Sequence, residues 1–247
     1  MYILSKYELL NKIGSGSFGY IYKAKNIRTN SMVAIKTENI KNGSKLLKNE
    51  TIVYQYLSGL KGVPNVLCFG KDEYNYYMVL DLLGISLTSL RETNVLFSLQ
   101  TTINITNKLL EILKGVHNKG IIHRDIKPDN FLLSEDKKSI YLIDFGFCKR
   151  YLLKDNKTHI PIRTGKGLIG STNYMSLNIH NGIEPSRRDD LESIGYIMLF
   201  FLKITYLPTI EYKTNVINDI RIPKIIRNYF QYCRNLKFDE MPNYNIL

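Results

Sequence analysis

Apolar and polar residues alternate from Tyr7 to Ile13 and again from Tyr20 to Lys25, on either side of a glycine-rich turn. A third short run of the same kind spans Met32 to Lys36. Successive side chains on a strand point to opposite faces, so this period of two predicts a small antiparallel sheet. The period then changes. Leu46, Leu47, Glu50, Val53, Tyr54 and Leu57 recur at the three- and four-residue intervals of one helix face, and the spacing returns at Ile105, Leu109, Ile112 or Leu113, and Val116. From Leu191 to Leu202 nearly every position is apolar, which predicts a helix buried at the centre of a lobe. The first eighty residues read mainly as strands and the rest mainly as helices, with no internal repeat and no long linker. The expected architecture is therefore α+β and bilobal: a small antiparallel-sheet lobe with one main helix over about 1–83, and a mainly helical lobe over 84–247.

Composition narrows the class. With 44% hydrophobic residues in 247, the chain has enough apolar mass for one or two cores and is not a disordered protein. The longest nearly uncharged apolar run, Ile194 to Leu202, falls far short of the roughly 20 residues that cross a bilayer. The opening residues Met1 to Glu8 lack a basic segment, an apolar stretch and a small-residue cleavage site. A soluble intracellular protein, in cytoplasm or nucleus and without a membrane partner, is expected. Cys68, Cys148 and Cys233 are odd in number and widely spaced, and they read as reduced thiols. Lys plus Arg number 34 against 22 Asp plus Glu, a formal charge of +12, which favours phosphates, acidic peptides or nucleic acid. No basic run is interleaved with aromatics, so nucleic acid is not expected as a partner.

The glycine-rich turn is Gly14-Ser15-Gly16-Ser17-Phe18-Gly19. Alone, this spacing also fits a dinucleotide fold or a plain hairpin. A dinucleotide site needs a helix after the glycines, whereas Tyr20-Ile21-Tyr22-Lys23-Ala24 alternates like a strand. The reading is a hairpin lid whose backbone amides approach phosphate oxygens without side-chain obstruction. Next comes Val33-Ala34-Ile35-Lys36, where an ammonium at a partly buried strand end needs a partner. Glu38 on the same strand competes with Glu50, which falls on the apolar face of the predicted helix; Glu50 is preferred because a helix-borne acid can join or leave the pair. Lys41, Lys45 and Lys48 read as the solvated side of that helix. Asp144-Phe145-Gly146 follows the aliphatic strand Ile140 to Ile143, and a carboxylate there suits a hard cation such as Mg2+. In His123-Arg124-Asp125-Ile126-Lys127-Pro128-Asp129-Asn130, Asp125 is expected to orient and deprotonate an attacking hydroxyl. Lys127 is expected to neutralise charge on the transferred group, and Asn130 with Asp144 to hold Mg2+ between phosphates. His117, His159 and His180 lack metal-ligand spacing, and His123 reads as a packing and hydrogen-bonding residue.

Taken in order, the glycine loop, strand lysine, helix glutamate, His-Arg-Asp loop and Asp-Phe-Gly resemble the protein kinase signature set. Lys127 resembles serine/threonine rather than tyrosine kinases. The resemblance implies ATP and Mg2+ as cofactors, protein substrates and a monomer. The implied nucleotide-binding set is Ile13, Gly14, Ser15, Gly16, Ser17, Phe18, Gly19, Tyr20, Ile21, Ala34, Lys36, Leu80, Asp81, Leu83 and Leu132, with Leu80 behind the adenine and the backbone of Asp81 to Leu83 as hinge. Catalysis is assigned to Asp125, Lys127, Lys36 and Glu50, and metal binding to Asn130 and Asp144.

Downstream, His159-Ile160-Pro161-Ile162-Arg163, Leu82 to Leu87, Lys127 to Leu133 and Asn178 to Tyr196 resemble the casein kinase I family over almost the whole chain. That family carries Ser-Ile-Asn where most kinases have Ala-Pro-Glu, and Ser176-Leu177-Asn178 stands there. The resemblance implies that Asp190 tethers the catalytic loop, that activity needs no activation-loop phosphorylation, and that substrates are acidic or already phosphorylated. Two departures stand out. Ser171-Thr172-Asn173-Tyr174 replaces Thr-Ala-Arg-Tyr, removing an arginine associated with phosphate binding, for which Lys166 and Lys213 could supply point charges. After Pro208 the family's tryptophan is missing and the helical lobe is short against relatives that continue further. A nucleotide-binding scaffold without turnover is the rival reading, against which Lys36, Asp125, Asn130 and Asp144 argue.

Overall fold

A computed structural model describes residues 2–16, 19–43, 45–93, 97–153, 155, 157–205 and 208–247. Ser17 and Phe18 of the expected nucleotide set lie outside the described residues. In chain order the first elements are β1 (Tyr2–Ile3), β2 (Tyr7–Gly16), β3 (Gly19–Asn26), β4 (Met32–Asn39), α1 (Leu46–Tyr56), β5 (Val66–Lys71) and β6 (Asn75–Asp81). They are followed by α2 (Leu87–Glu92), α3 (Leu99–Asn118), β7 (Ile121–Ile122), β8 (Phe131–Leu133), β9 (Ile140–Leu142) and β10 (Lys149–Arg150). The last are α4 (Leu177–His180), α5 (Arg187–Phe201), α6 (Ile210–Asn215) and α7 (Lys224–Asn235). The chain divides into two compact units, Met1–Ile85 with Leu132–Gly146, and Ser86–Phe131 with Phe147–Leu247.

In the first unit β1-β2-β3-β4-β6-β5 form one antiparallel sheet. Alternation decides its two faces. Val33 and Ile35 pack on one side with Ile3, Tyr7, Ala24, Tyr77 and Val79, a core with every member at most 3% exposed. Lys36 and Ala34 therefore point to the other side. Helix α1 starts where it does because the Glu38 carboxylate accepts hydrogen bonds from the backbone N–H groups of Leu46 at 3.1 Å and Leu47 at 2.8 Å. An acid at a helix N-terminus satisfies donors that have no partner inside the helix and complements the helix dipole. This corrects one expectation: Lys41 and Lys45 precede the helix, and only Lys48 lies on its solvated side. The segment Leu132–Gly146 joins this unit through backbone bonds, Leu133 to Gly84 (2.8 Å) and Ile85 (2.9 Å), and Leu142 to Gly62 (2.8 Å).

The second unit is built around α5. Leu191, Ile194, Ile197, Met198 and Leu199 are fully buried, as the continuous apolar run predicts. Leu109, Leu110, Leu113 and Val116 of α3 and Ile226, Tyr229 and Phe230 of α7 are buried to the same degree, and both helices pack on α5. The first turns of α5 are different in kind: Asp189, Asp190 and Glu192 are buried carboxylates, and each requires hydrogen-bonding partners. Among the described residues no helix is long and apolar enough to cross a membrane.

Candidate active site

In the first unit, Lys36 Nζ donates to both Glu50 oxygens, at 3.0 and 2.8 Å, and to Asp144 Oδ1 at 3.1 Å. Glu50 takes this position because it shares a face of α1 with buried Leu47 and Tyr54, while Glu38 is committed to the helix start. Burial opposes the charge on Lys36, but the two carboxylates more than offset it and hold its pKa above the ordinary lysine value. Burial pushes the Glu50 carboxyl up, with Lys36 opposing and Asp144 adding to the rise. Two acids around one ammonium leave excess negative charge, and the Asp144 side chain is 38% exposed, so its oxygens suit a hard cation. The same face of α1 carries Tyr54, whose hydroxyl accepts from Asp144 N–H at 2.9 Å and whose ring meets Phe145 edge-on at 5.0 Å. That contact supports Asp144 in the left-handed backbone region, φ 65°, which costs a non-glycine residue on the order of 1–2 kcal/mol.

The sheet register groups the expected nucleotide residues. Gly14, Ile21, Lys36 and Met78 lie opposite one another across β2, β3, β4 and β6, and Lys23, Ala34, Leu80 and Val66 form the adjacent row. Opposed residues share a face. Ile21, Ala34 and Leu80 thus line the Lys36 side of the sheet, half-buried, as are Leu83 and Leu132. Ile13 and Tyr20 are 47% and 50% exposed, and Ser15 is exposed on the glycine strand beside Gly16. Asp81 falls on the opposite face, where its carboxylate accepts from Asn65 N and Nδ2 at 3.0 and 3.1 Å; its side chain is structural. Gly19 cannot be replaced without movement, because a Cβ there would lie 1.8 Å from the Thr37 carbonyl oxygen.

In the second unit, the Asp125 carboxylate is enclosed by donors. Oδ1 accepts from Ser171 N at 2.8 Å and Ser171 Oγ at 2.9 Å; Oδ2 accepts from Lys127 Nζ at 2.8 Å and Asn130 Nδ2 at 3.3 Å. Lys127 also donates to Ser171 Oγ at 3.0 Å, and Asn130 Nδ2 to the Asp125 carbonyl at 2.8 Å. With its amine group turned to Asp125, Asn130 has its amide oxygen as the atom fit for a cation. Ser171 stands in the sequence as the first residue of Ser171-Thr172-Asn173-Tyr174, but its contact with Asp125, 46 residues away, has no local pattern to mark it. Gly170 brings the segment this close: a Cβ there would lie 2.4 Å from the Arg124 carbonyl oxygen.

The buried acids of α5 hold this loop. Asp190 accepts from His123 N at 2.7 Å and Arg124 N at 2.9 Å and lies 2.9 Å from His117 Nε2, fixing Arg124 in its left-handed conformation, φ 68°. His123 is fully buried, and its Nδ1 accepts from Asp125 N at 3.3 Å. Asp189 accepts from Ser176 Oγ (2.6 Å) and Asn178 Nδ2 (3.0 Å), so both polar members of Ser176-Leu177-Asn178 serve one carboxylate. Burial pushes Asp189 up to about 6 against those bonds. Lys213 corrects another expectation. It is fully buried, its Nζ donating to the carbonyls of Thr172 (2.9 Å) and Met175 (2.6 Å), and it offers no surface charge for a phosphate. Lys166 remains partly exposed, 3.7 Å from Glu184.

Within the first unit, the Asp144 carboxylate, the Lys36 ammonium and the glycine strand suit a nucleotide phosphate with a hard divalent ion; within the second, the Asn130 amide oxygen is likewise a hard donor and Asp125 carries the Lys127 ammonium. Residues 7–244 match the family described as the protein kinase domain.

Proposed function

Because this chain belongs to the protein kinase family, we propose that it is a casein kinase I-like enzyme that phosphorylates serine and threonine hydroxyls of proteins without needing phosphorylation of its own activation segment. Bound ATP supplies the phosphoryl group, and Mg2+ neutralises charge on it. Asp144 and Asn130 would hold the ion through carboxylate and amide oxygens. Lys36, kept charged by Glu50, would orient the phosphates, and the glycine strand would cover them. Asp125 would align the acceptor hydroxyl and take its proton, and Lys127 would offset charge developing on the transferred group.

The observation that carries this reading is the Asp125 enclosure. Lys127 and Ser171 fix each other and both carboxylate oxygens, so the base has one orientation. Transfer of labelled phosphate from ATP into casein and into peptide libraries bearing serine, threonine or tyrosine tests it. Binding of ATP without transfer to any acceptor would favour the scaffold reading instead.

Independence from activation-segment phosphorylation has its own support. Glu184, 3% exposed, lies 2.6 Å from Lys149 and 3.7 Å from Lys166, and its backbone N–H donates to the Arg163 carbonyl at 2.8 Å. Burial opposes its charge, but Lys149, Lys166 and Arg124 hold its pKa below the ordinary value. A built-in carboxylate thus gathers the cations that a phosphate would otherwise collect. Phosphatase-treated protein is expected to keep its transfer rate within about twofold, a margin well under 1 kcal/mol; loss of activity that returns on rephosphorylation would refute this.

Substrate preference turns on Asn173, which is exposed beside Thr172. A neutral amide in place of a guanidinium removes a charge-assisted contact of about 1.5–3 kcal/mol, roughly ten- to hundredfold in affinity. Of the two lysines expected to serve, Lys213 is buried and Lys166, 3.7 Å from Glu184, is an ammonium that lacks the forked grip of arginine. A peptide with phosphoserine three residues before the target is therefore expected to be only modestly preferred over one with aspartate there. In Asn173→Arg the preference should grow. Comparing kcat/KM for both peptides with both proteins decides the matter, and a strong preference unchanged by the substitution would place the pocket elsewhere.

A further inference from the structure

We propose that Lys213 is a positioning residue: reaching from α6, its amino group clamps the carbonyls of Thr172 and Met175 and so fixes Ser171 against Asp125. The two bonds, 2.9 and 2.6 Å, are made by a side chain with no exposed surface, and among the described residues no carboxylate forms an ion pair with Nζ. Thr172 follows directly on Ser171, and the Ser171 carbonyl accepts from Tyr174 N and Met175 N at 2.9 Å each. The clamped carbonyls thus sit on both sides of a single tight turn that begins at Ser171. Without Lys213 the buried Met175 carbonyl would lose the donor it has at 2.6 Å and the Thr172 carbonyl the one it has at 2.9 Å, and the turn would be free to lift Ser171 away from the carboxylate.

Every element packed around Nζ presents a charged or titratable group. From α5 the Tyr196 ring lies 4.3 Å from Nζ, and Glu192 accepts from Leu177 N, Tyr196 Oη and Arg234. Arg234 of α7 also donates to the Lys213 carbonyl, and His180 of α4 hydrogen-bonds the Thr172 backbone. Burial pulls Lys213 down to about 7, with Glu192 opposing and Arg234 adding to the fall. A neutral amine has two N–H donors, which match the two carbonyls; the charged form adds a third, with the Tyr196 ring 4.3 Å from Nζ.

The sign follows from linkage. Any opening that lets Lys213 reach water restores its proton affinity, so above about pH 7 the open state holds a proton that the closed state lacks. Opening of the 171–176 turn is then progressively disfavoured as pH rises through that value, by up to about tenfold per pH unit. His180, held below the ordinary histidine value by burial and by Lys213, titrates at lower pH and does not share this window.

Hydrogen-exchange mass spectrometry of the natural protein and of Lys213→Met, between pH 6 and 9 and corrected for intrinsic exchange, tests the clamp without requiring catalysis. Protection of 171–176 is expected to increase with pH above 7 in the natural protein. In Lys213→Met it should be at least about tenfold lower at pH 8.5 and lose that pH dependence. A natural protein with no slope in this segment overturns the proposal even if the variant does not fold, as does equal protection in the two proteins. The catalytic half rests on the transfer reaction proposed for Asp125: kcat for peptide phosphorylation should fall about tenfold in Lys213→Met and rise with pH only in the natural protein. The expected exchange pattern in a protein with no transfer activity would refute that reaction and leave the clamp standing, whereas measurable transfer with unaltered exchange would refute the clamp alone.

Discussion

Asp125→Asn is expected to lower phosphoryl transfer by about 10²–10⁴-fold, the range for loss of a positioned general base, while ATP affinity stays within about threefold. The substitution conserves shape but reverses half of the hydrogen bonding. Its amide oxygen can still accept from Ser171, yet its amine group must then face Lys127 Nζ and Asn130 Nδ2, which are donors. Lys127 therefore loses its charged partner together with the base and keeps Ser171 Oγ. Single-turnover transfer to a serine peptide, measured beside ATP binding by calorimetry, separates the two effects. A transfer rate within threefold of the natural protein would remove Asp125 from the reaction.

The second large effect is expected from the trio in the first unit. Lys36→Met and Asp144→Asn should each reduce transfer by about 10²–10³-fold, as loss of one preorganised electrostatic contact does elsewhere. They should do so by different routes. Without Lys36, Glu50 and Asp144 face each other with no ammonium between them, and Glu50, already pushed up by burial, takes a proton in place of the ion pair. That proton limits the destabilisation, so circular dichroism should show a folded protein. Asp144→Asn keeps Lys36 paired to Glu50 but removes one carboxylate, so its loss should appear as weakened Mg2+ dependence. Full labelled-phosphate incorporation by either folded variant would defeat the assignment of the trio.

The sequence alone carried the local patterns. A period of two located the strands that bear Ile13, Ile21 and Lys36, though the first runs on to Gly16 through residues read as a turn; a period near four located the helix that bears Glu50, and an unbroken apolar run located α5. Periodicity is legible because each residue's face is set by its own backbone geometry, whatever it later packs against. The order of the motifs likewise named Asp125, Asn130 and Asp144 as the groups to watch.

Only the tertiary structure decided which charges meet. The helical spacing favoured Glu50 over Glu38 as the partner of Lys36, and in the fold Lys36 bonds Glu50 while Glu38 is engaged through two backbone amides at the start of α1. Ser171 against Asp125 and Tyr54 against Asp144 join residues 46 and 90 positions apart, distances over which no local pattern extends, whereas the Asp190 tether to the catalytic loop was expected from the family resemblance and is present. Lys213 shows the limit most plainly. It was expected to supply a point charge for a substrate phosphate, yet the fold encloses it completely, its Nζ bonded to two carbonyls of the turn beyond Ser171. Burial of a charge is set by the sum of all its neighbours, and those neighbours are brought together only when the chain folds.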